Sequence, residues 1–367
     1  MTIFDVVEQY AAFGVHRSGT ETQAATAEWL ASELRARGGE AELQPVEFPR
    51  YVADWAVTIE GDEVEALPLF YEAVGSATST DPTRWPAFSP PGAGPMGVTG
   101  ALEETMATVG EVVVAATQNL LGFLSVSNRG TELGSGVHVL QVAGHHGGAL
   151  ADGASVTARI DARVENATCP NVVARFGDID NAERLTILTT PISGWFQCAG
   201  ERGTGVAVAL EMAERLAEHA PLLFLGATGH ELGAFGATAM HADHADRAHT
   251  LLHVGANVGC DWPASDQLSA PDHSHMAARL ATDNPNIDPI ADAFARVGAR
   301  LDTPPRDRSQ WFGEAAEWLD TPQVLSFLGQ NPWFHAPGDL PGISCTAERT
   351  EAVTTAFTEA ALHLIGR

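Results

Sequence analysis

The chain has 367 residues and a formal net charge of -27, from 47 acidic residues against 20 basic ones. Its 45% hydrophobic content suffices for a large core, built as one domain with an insertion or as two domains. The negative surplus excludes nucleic-acid binding, which needs basic patches, and no apolar run reaches membrane-spanning length.

Every basic residue is arginine; there is no lysine. An acidic, lysine-free surface suits very high salt, where self-repulsion is screened, so a halophilic cytoplasm is the expected setting. The opening MTIFDVVEQY lacks the basic and apolar regions of a secretion signal, which also points to the cytoplasm. With so many carboxylates, a single Asp or Glu is informative only where a motif places it. The four cysteines, Cys169, Cys198, Cys260 and Cys345, are far apart and form no CxxC, so neither a disulfide framework nor a thiolate zinc site is expected.

In chain order, residues 20–37 read as an amphipathic helix. Ala25, Trp29, Leu30 and Leu34 make its apolar stripe, Thr20 or Thr22 can cap it, and Gly38-Gly39 ends it. A strand is expected over 41–48. From about Tyr51 the character changes: residues 77–98 are rich in Pro, Gly, Ser and Thr, and GEVVVAAT, HVLQVAG and ASVTARIDARV are short β-like runs separated by glycines. This predicts a β-rich insertion over 51–168 that caps a cleft. Strands are then expected at 171–176, 185–190, 221–228, 251–258 and 323–328, and helices at 203–219, 286–297 and 346–365. Strands alternating with helices imply an α/β fold with a largely parallel sheet covered on both faces. The main domain would combine 1–50 with 169–367.

In such a sheet, functional groups collect beyond the carboxyl ends of strands. Glu201 follows strand 185–190, Glu231 follows 221–228, and His335 follows 323–328. Three His or carboxylate ligands and one open position make a catalytic zinc site. Other readings stand beside this one. Glu201 could pair with Arg202, Glu231 could be a carboxylate favoured by a helix start, and His335 could be a buried loop histidine. His230 could be a core histidine bonded to the sheet edge. His230-Glu231 is no HExxH zinc motif, since Ala234 holds the second His position. Cys198 with His230 offers a thiol and base, against the plainer reading of a small buried hydrophobe. Ser193 lacks the first glycine of a nucleophile elbow. His241, His244, His249 and His253 read as solvated surface, and His145-His146 as a cleft lining or a turn. Trp195, Phe196, Trp333 and Phe334 flank the proposed site and could wall a small pocket.

Five stretches in order, HRSGTETQAATAEWLASELRARGGEAE, ATCPNVVARFGD, CAGERGTGVAVALEMAERL, FLGATGHELGAFGA and WFHAPGD, carry a resemblance over nearly the whole chain. Together they resemble the zinc aminopeptidase superfamily that includes bacterial leucyl aminopeptidases, glutamate carboxypeptidases and glutaminyl cyclases. The resemblance implies a three-layer sandwich with a central mixed, mostly parallel sheet. It puts Glu201 in the place of the bridging aspartate, Glu231 in that of the second glutamate and His335 in that of the last histidine, ligands for one zinc ion. Asp339 matches the following acidic residue and would orient His335. The family's His-x-Asp falls on Thr190-Pro191-Ile192 and a further Asp near Asn257, so the other zinc position has lost its charged ligands. His230 stands where the family has its general-base glutamate and would take that role. The implied function is metal-dependent hydrolysis of an amide or peptide-like bond near a free amino terminus, on a peptide or small-molecule substrate. The alternatives are acyl transfer or cyclisation as in the glutaminyl cyclases, and a non-catalytic descendant that binds a small ligand or protein partner.

Overall fold

The computed structural model describes residues 2–88, 111–119, 121–126, 128, 130–262 and 276–366. Part of the Pro/Gly-rich 77–98 stretch, residues 89–98, lies outside them.

Two helices open the chain. α1 (Ile3–Ala12) starts at a capping box between Thr2 and Asp5, and α2 (Glu21–Ala36) at Thr20, whose side chain accepts the Gln23 N–H. β1 (Glu40–Ile59) is much longer than the expected 41–48. It pairs antiparallel with β8 (Val156–Phe176) along its whole length, from Glu40↔Arg175 to Ile59↔Val156, and that partner overrides the two prolines that obscured the pattern. Between them come β2 (Asp62–Val64), β3 (Ala66–Pro68), β4 (Gly75–Ser79), β5 (Thr83–Phe88), β6 (Val112–Thr117), β7 (His138–Val142) and the short α3 (Gly147–Ala151). Strands β3, β7, β6 and β5 form a separate four-stranded sheet, packed around Leu69, Phe88, Val113, Ala115 and Val139.

The remainder alternates: β9 (Leu185–Pro191), α4 (Thr204–Ala217), β10 (Leu222–Ala227), α5 (Phe235–His244), β11 (Ala248–Val254), β12 (Met276–Ala281), α6 (Asp288–Ala295), β13 (Arg300–Asp302), β14 (Gln323–Gly329) and α7 (Ala347–Leu364). The large sheet runs β13-β12-β14-β11-β9-β10-β8-β1-β2, with β4 beside β8. Its centre, β14-β11-β9-β10, is parallel; β12 and β8 join that centre antiparallel, β1 and β2 continue antiparallel, and the edge strand β13 runs parallel to β12. β10 reads as an unbroken apolar run because both of its faces are covered. In β10, Leu222 and Phe224 join the core with α1, α2, α4 and α7, while Leu223 and Leu225 face the core with α5, Trp311 and Trp318. The result is an α/β sandwich with a mixed central sheet. No helix among the described residues is long and apolar enough to cross a membrane.

Candidate active site

Parallel order sends the ends of β9, β10, β11 and β14 to one side of the sheet, and the chain turns sharply beyond each. After β9, Cys198 takes a left-handed φ of 49° and leads into a π-turn at Ala199–Gly203 that carries Glu201 and Arg202. After β10, Gly229 has a φ of 74°, and a Cβ there would meet the Phe235 ring at 2.4 Å. The following turn, His230–Leu232, carries His230 and Glu231. Asn171 clamps this loop, accepting the Thr228 N–H and donating to the Gly236 carbonyl. After β14, His335 sits in left-handed backbone at φ 57°, a conformation that costs free energy and persists only where surroundings fix it.

Glu201 and His335 come together. His335 Nε2 lies 3.3 Å from Glu201 Oε1, and both side chains are buried. His335 Nδ1 donates to the Val126 carbonyl at 2.7 Å, while the Val126 N–H donates to the His335 carbonyl. The 51–168 segment, to which Val126 belongs, therefore fixes the ring. Asp339 has a different task from the expected one. It accepts the N–H groups of Gly200 and Glu201 and the Ser344 hydroxyl, and so holds the turn that presents Glu201. Burial pushes its carboxyl up to about 6.

Glu231 lies elsewhere in the cluster. Ser18 N–H reaches one of its oxygens at 2.7 Å and the Ser193 hydroxyl reaches the other at 2.7 Å. Gly229 N–H in turn donates to Ser18 and Ser193, which closes a brace between the loops after α1, β9 and β10.

Arg202 is fully buried. Its Nε donates to the Ser193 carbonyl at 2.9 Å, and its Nη2 lies 2.8 Å from Glu201 Oε1, an ionic contact not aligned as a hydrogen bond. Burial alone would raise the Glu201 pKa, but Arg202 and then His335 outweigh it and hold the carboxyl at about 2. The pairing of Glu201 with Arg202 that the sequence offered as an alternative is thus present.

His230 Nδ1 donates to Glu314 Oε1 at 2.7 Å, and His253 Nε2 donates to Glu314 Oε2 at 3.2 Å. His253 Nδ1 meets the Ser326 hydroxyl at 2.8 Å, completing a buried His–Glu–His–Ser chain. Burial works against the Glu314 charge, but His230 foremost and then His253 draw its pKa well below the usual range. His230 keeps 15% of its side chain exposed, against 1% for Glu314 and His253. His253 is therefore not solvated surface. β11 is covered on both faces, so a polar residue in it has nowhere to go but inside. Glu314 carried no motif; its only sequence signal is its place between two tryptophans, Trp311 and Trp318, which are both buried.

The remaining candidates are structural neighbours. Asn257, at φ 60°, donates to the Gly329 carbonyl and accepts from Asn331. The Cys198 thiol points at Glu201 Oε2, 3.6 Å away, and burial followed by the Glu201 charge lifts its pKa well above normal, which removes it as a thiolate nucleophile. Trp195 stacks on Phe70 and donates to Asn128, Phe334 stacks on His335, and Trp333 lies beside Gly338. Phe196 accepts the His16 N–H at its carbonyl. His241 contacts Asp320, and His145-His146 form a turn.

No protein-family model and no curated protein sequence matches the chain. Solved structures do. A zinc aminopeptidase from Bacillus subtilis superposes with a TM-score of 0.74 over 99% of this chain and 94% of its own, at 16% identity. An aminopeptidase from Aneurinibacillus sp. strain AM-1 gives 0.61 over 98% and 92%, also at 16%. A peptidase M28 precursor from Shewanella amazonensis SB2B gives 0.71 over 98% and 91%, at 12%. The fold is that of the zinc aminopeptidases. Whether the aminopeptidase-fold site here suits a zinc ion is a question for its donor atoms. Two zinc ligands at about 2.0–2.1 Å in tetrahedral geometry lie about 3.3 Å apart, which matches Glu201 Oε1 and His335 Nε2, both without a hydrogen-bond partner. A third ligand does not join them. Both Glu231 oxygens are occupied by protein donors, and a guanidinium rests against the oxygen that would bind the ion. The one group of His, Cys, Asp and Glu side chains among the described residues with all ligand atoms within 4.8 Å is Cys198, Glu201 and Asp339. Its thiol is held protonated, and its Asp339 is committed to backbone N–H groups. The residues present do not complete a three-ligand zinc site.

Proposed function

We propose that the protein hydrolyses an amide or peptide-like bond next to a free amino terminus, with His230 as general base. The observation that carries this reading is the 2.7 Å contact of His230 Nδ1 with the buried Glu314. A carboxylate on Nδ1–H fixes the tautomer, leaves Nε2 as the basic nitrogen and stabilises the imidazolium that forms on proton uptake. His230 and Glu201 stand in the turns that follow two adjacent parallel strands, β10 and β9. His230 is also the partly exposed member of its histidine–glutamate chain, as a residue that meets substrate and water must be. The metal-dependent version, one zinc on Glu201, Glu231 and His335, is supported by the Glu201–His335 spacing and opposed by the engagement of Glu231 and Arg202. Removal of a proton from a substrate amine by the same nitrogen would serve cyclisation on the same site.

The test is turnover of a panel of aminoacyl p-nitroanilides and dipeptides by the wild type and His230→Ala. A loss of about 10²–10⁴-fold is expected for a general base; equal rates in the two proteins would sink the assignment. A second reading, a ligand-binding descendant without turnover, is favoured by the neutral Thr190, Ile192 and Asn257 at positions where the family places charged metal ligands. No turnover on the panel by the wild type, with saturable binding of the same dipeptides, would select it.

A further inference from the structure

We infer that Arg202 is the resident cation of this centre, and that the site takes no divalent metal ion. Four carboxylates, Glu201, Glu231, Glu314 and Asp339, are buried among these loops, and Asp339 is held by two backbone N–H groups and the Ser344 hydroxyl. An ionised carboxylate survives burial only with compensating charge or donors. Glu231 has two donors, Ser18 and Ser193, and Glu314 has two imidazole N–H groups. Glu201 Oε1 has no hydrogen bond at all, and its oxygen is met by the Arg202 guanidinium and by His335.

Arginine stays charged in any protein environment. With none of the Arg202 side chain exposed, its charge is a permanent feature of the interior. Its position is set twice, by the Nε–Ser193 carbonyl bond and by the turn that Asp339 holds. A dication bound between Glu201 Oε1 and His335 Nε2 would lie within a few ångströms of this guanidinium, and the repulsion would have no solvent to screen it. Displacing Arg202 would strip this fully buried side chain of the Ser193 and Glu201 carbonyls that its Nε and Nη1 donate to. The guanidinium thus supplies the neutralisation that a metal ion would supply, from the residue next to the carboxylate it neutralises. This reading does not depend on hydrolysis.

Two measurements test it. The first is equilibrium dialysis of the wild type against zinc chloride, followed by elemental mass spectrometry, with Glu201→Gln alongside. The expected result is no stoichiometric zinc in either protein; about one zinc per chain in the wild type, lost in Glu201→Gln, would overturn the inference while leaving a hydrolase in place. The second is a thermal-unfolding cycle of Arg202→Met, Glu201→Gln and the double variant. Each single change should lower Tm by several degrees or prevent folding, because it leaves a buried charge alone, and the double variant should recover most of the loss. An additive loss in the double variant, or an unmoved Tm in Arg202→Met, would refute the pairing. Loss of turnover in His230→Ala bears on the hydrolase alone.

Discussion

Glu314→Gln isolates the buried histidine pair. The carboxylate is 1% exposed and accepts one N–H on each oxygen, at 2.7 and 3.2 Å. Glutamine keeps the shape but offers one acceptor oxygen and an NH₂ group. With the protons kept on His230 Nδ1 and His253 Nε2, one imidazole N–H then faces another donor or turns away. A buried donor left unpaired costs about 1–3 kcal/mol. The surviving bond also falls from a charge-assisted one, roughly 1.5–3 kcal/mol, toward a neutral one of about 0.5–1.5 kcal/mol. Together these give a loss of about 2–4 kcal/mol, or roughly 3–5 °C in Tm for a chain of this size. Glu314→Ala removes both acceptors and opens a cavity, so it should cost more, about 3–5 kcal/mol. Differential scanning calorimetry at matched salt, with denaturant titration as a check, measures both. A Tm change within about 1 °C for Glu314→Gln, or a glutamine variant less stable than the alanine one, would show that the carboxylate does not hold the two rings.

Glu201, held at about 2 against an ordinary value near 4.5, has a depressed folded-state pKa. Its contribution is therefore fully present above pH 4.5 and is lost as pH falls toward 2, about 3 kcal/mol in all; unfolding free energies across that range should show the fall in wild type and a flatter limb in Glu201→Gln. Gly229→Ala adds a Cβ 2.4 Å from the Phe235 ring at a φ of 74°. It should cost about 1–3 kcal/mol and move the His230–Glu231 turn, visible as lowered Tm together with altered imidazole chemical shifts; an unchanged spectrum and Tm would contradict the geometry.

The architecture was legible because periodicity survives in its parallel centre: the strands at 185–190, 221–228 and 323–328 lie within a residue or two of their expected places. The approach of Glu201 to His335 was legible for the same reason, since both follow parallel strands of that sheet, β9 and β14, with only β11 between them. The long β1–β8 pair was not, because Pro45 and Pro49 break the alternation and only the partner strand restores it. Glu314 was not, because a carboxylate in a turn of 3₁₀ type carries no spacing signal, and its function comes wholly from His230 and His253, 84 and 61 residues away. His253 misleads for a general reason. In a strand covered on both faces, side-chain polarity no longer reports which side meets water. Asp339 shows the limit of positional analogy: at the expected place in sequence, it serves backbone N–H groups two loops away.

The β1–β8 ribbon has a consequence for how such a chain is assembled. Ile59 and Val156 stand opposite each other at its far end. The segment between them, residues 60–155, leaves and rejoins the sheet at a point where two antiparallel strands are already in hairpin register. A two-residue turn such as Asn-Gly could join the strands there without shifting a single pair. The segment is thus attached like a graft at a hairpin tip: its gain or loss leaves the β1–β8 register untouched and adds or removes only β2 and β4 beside it. What its removal would take away includes the Val126 carbonyl that orients His335, so the graft and the buried centre are coupled through the backbone of one residue as well as through Phe70 and Asn128 at Trp195.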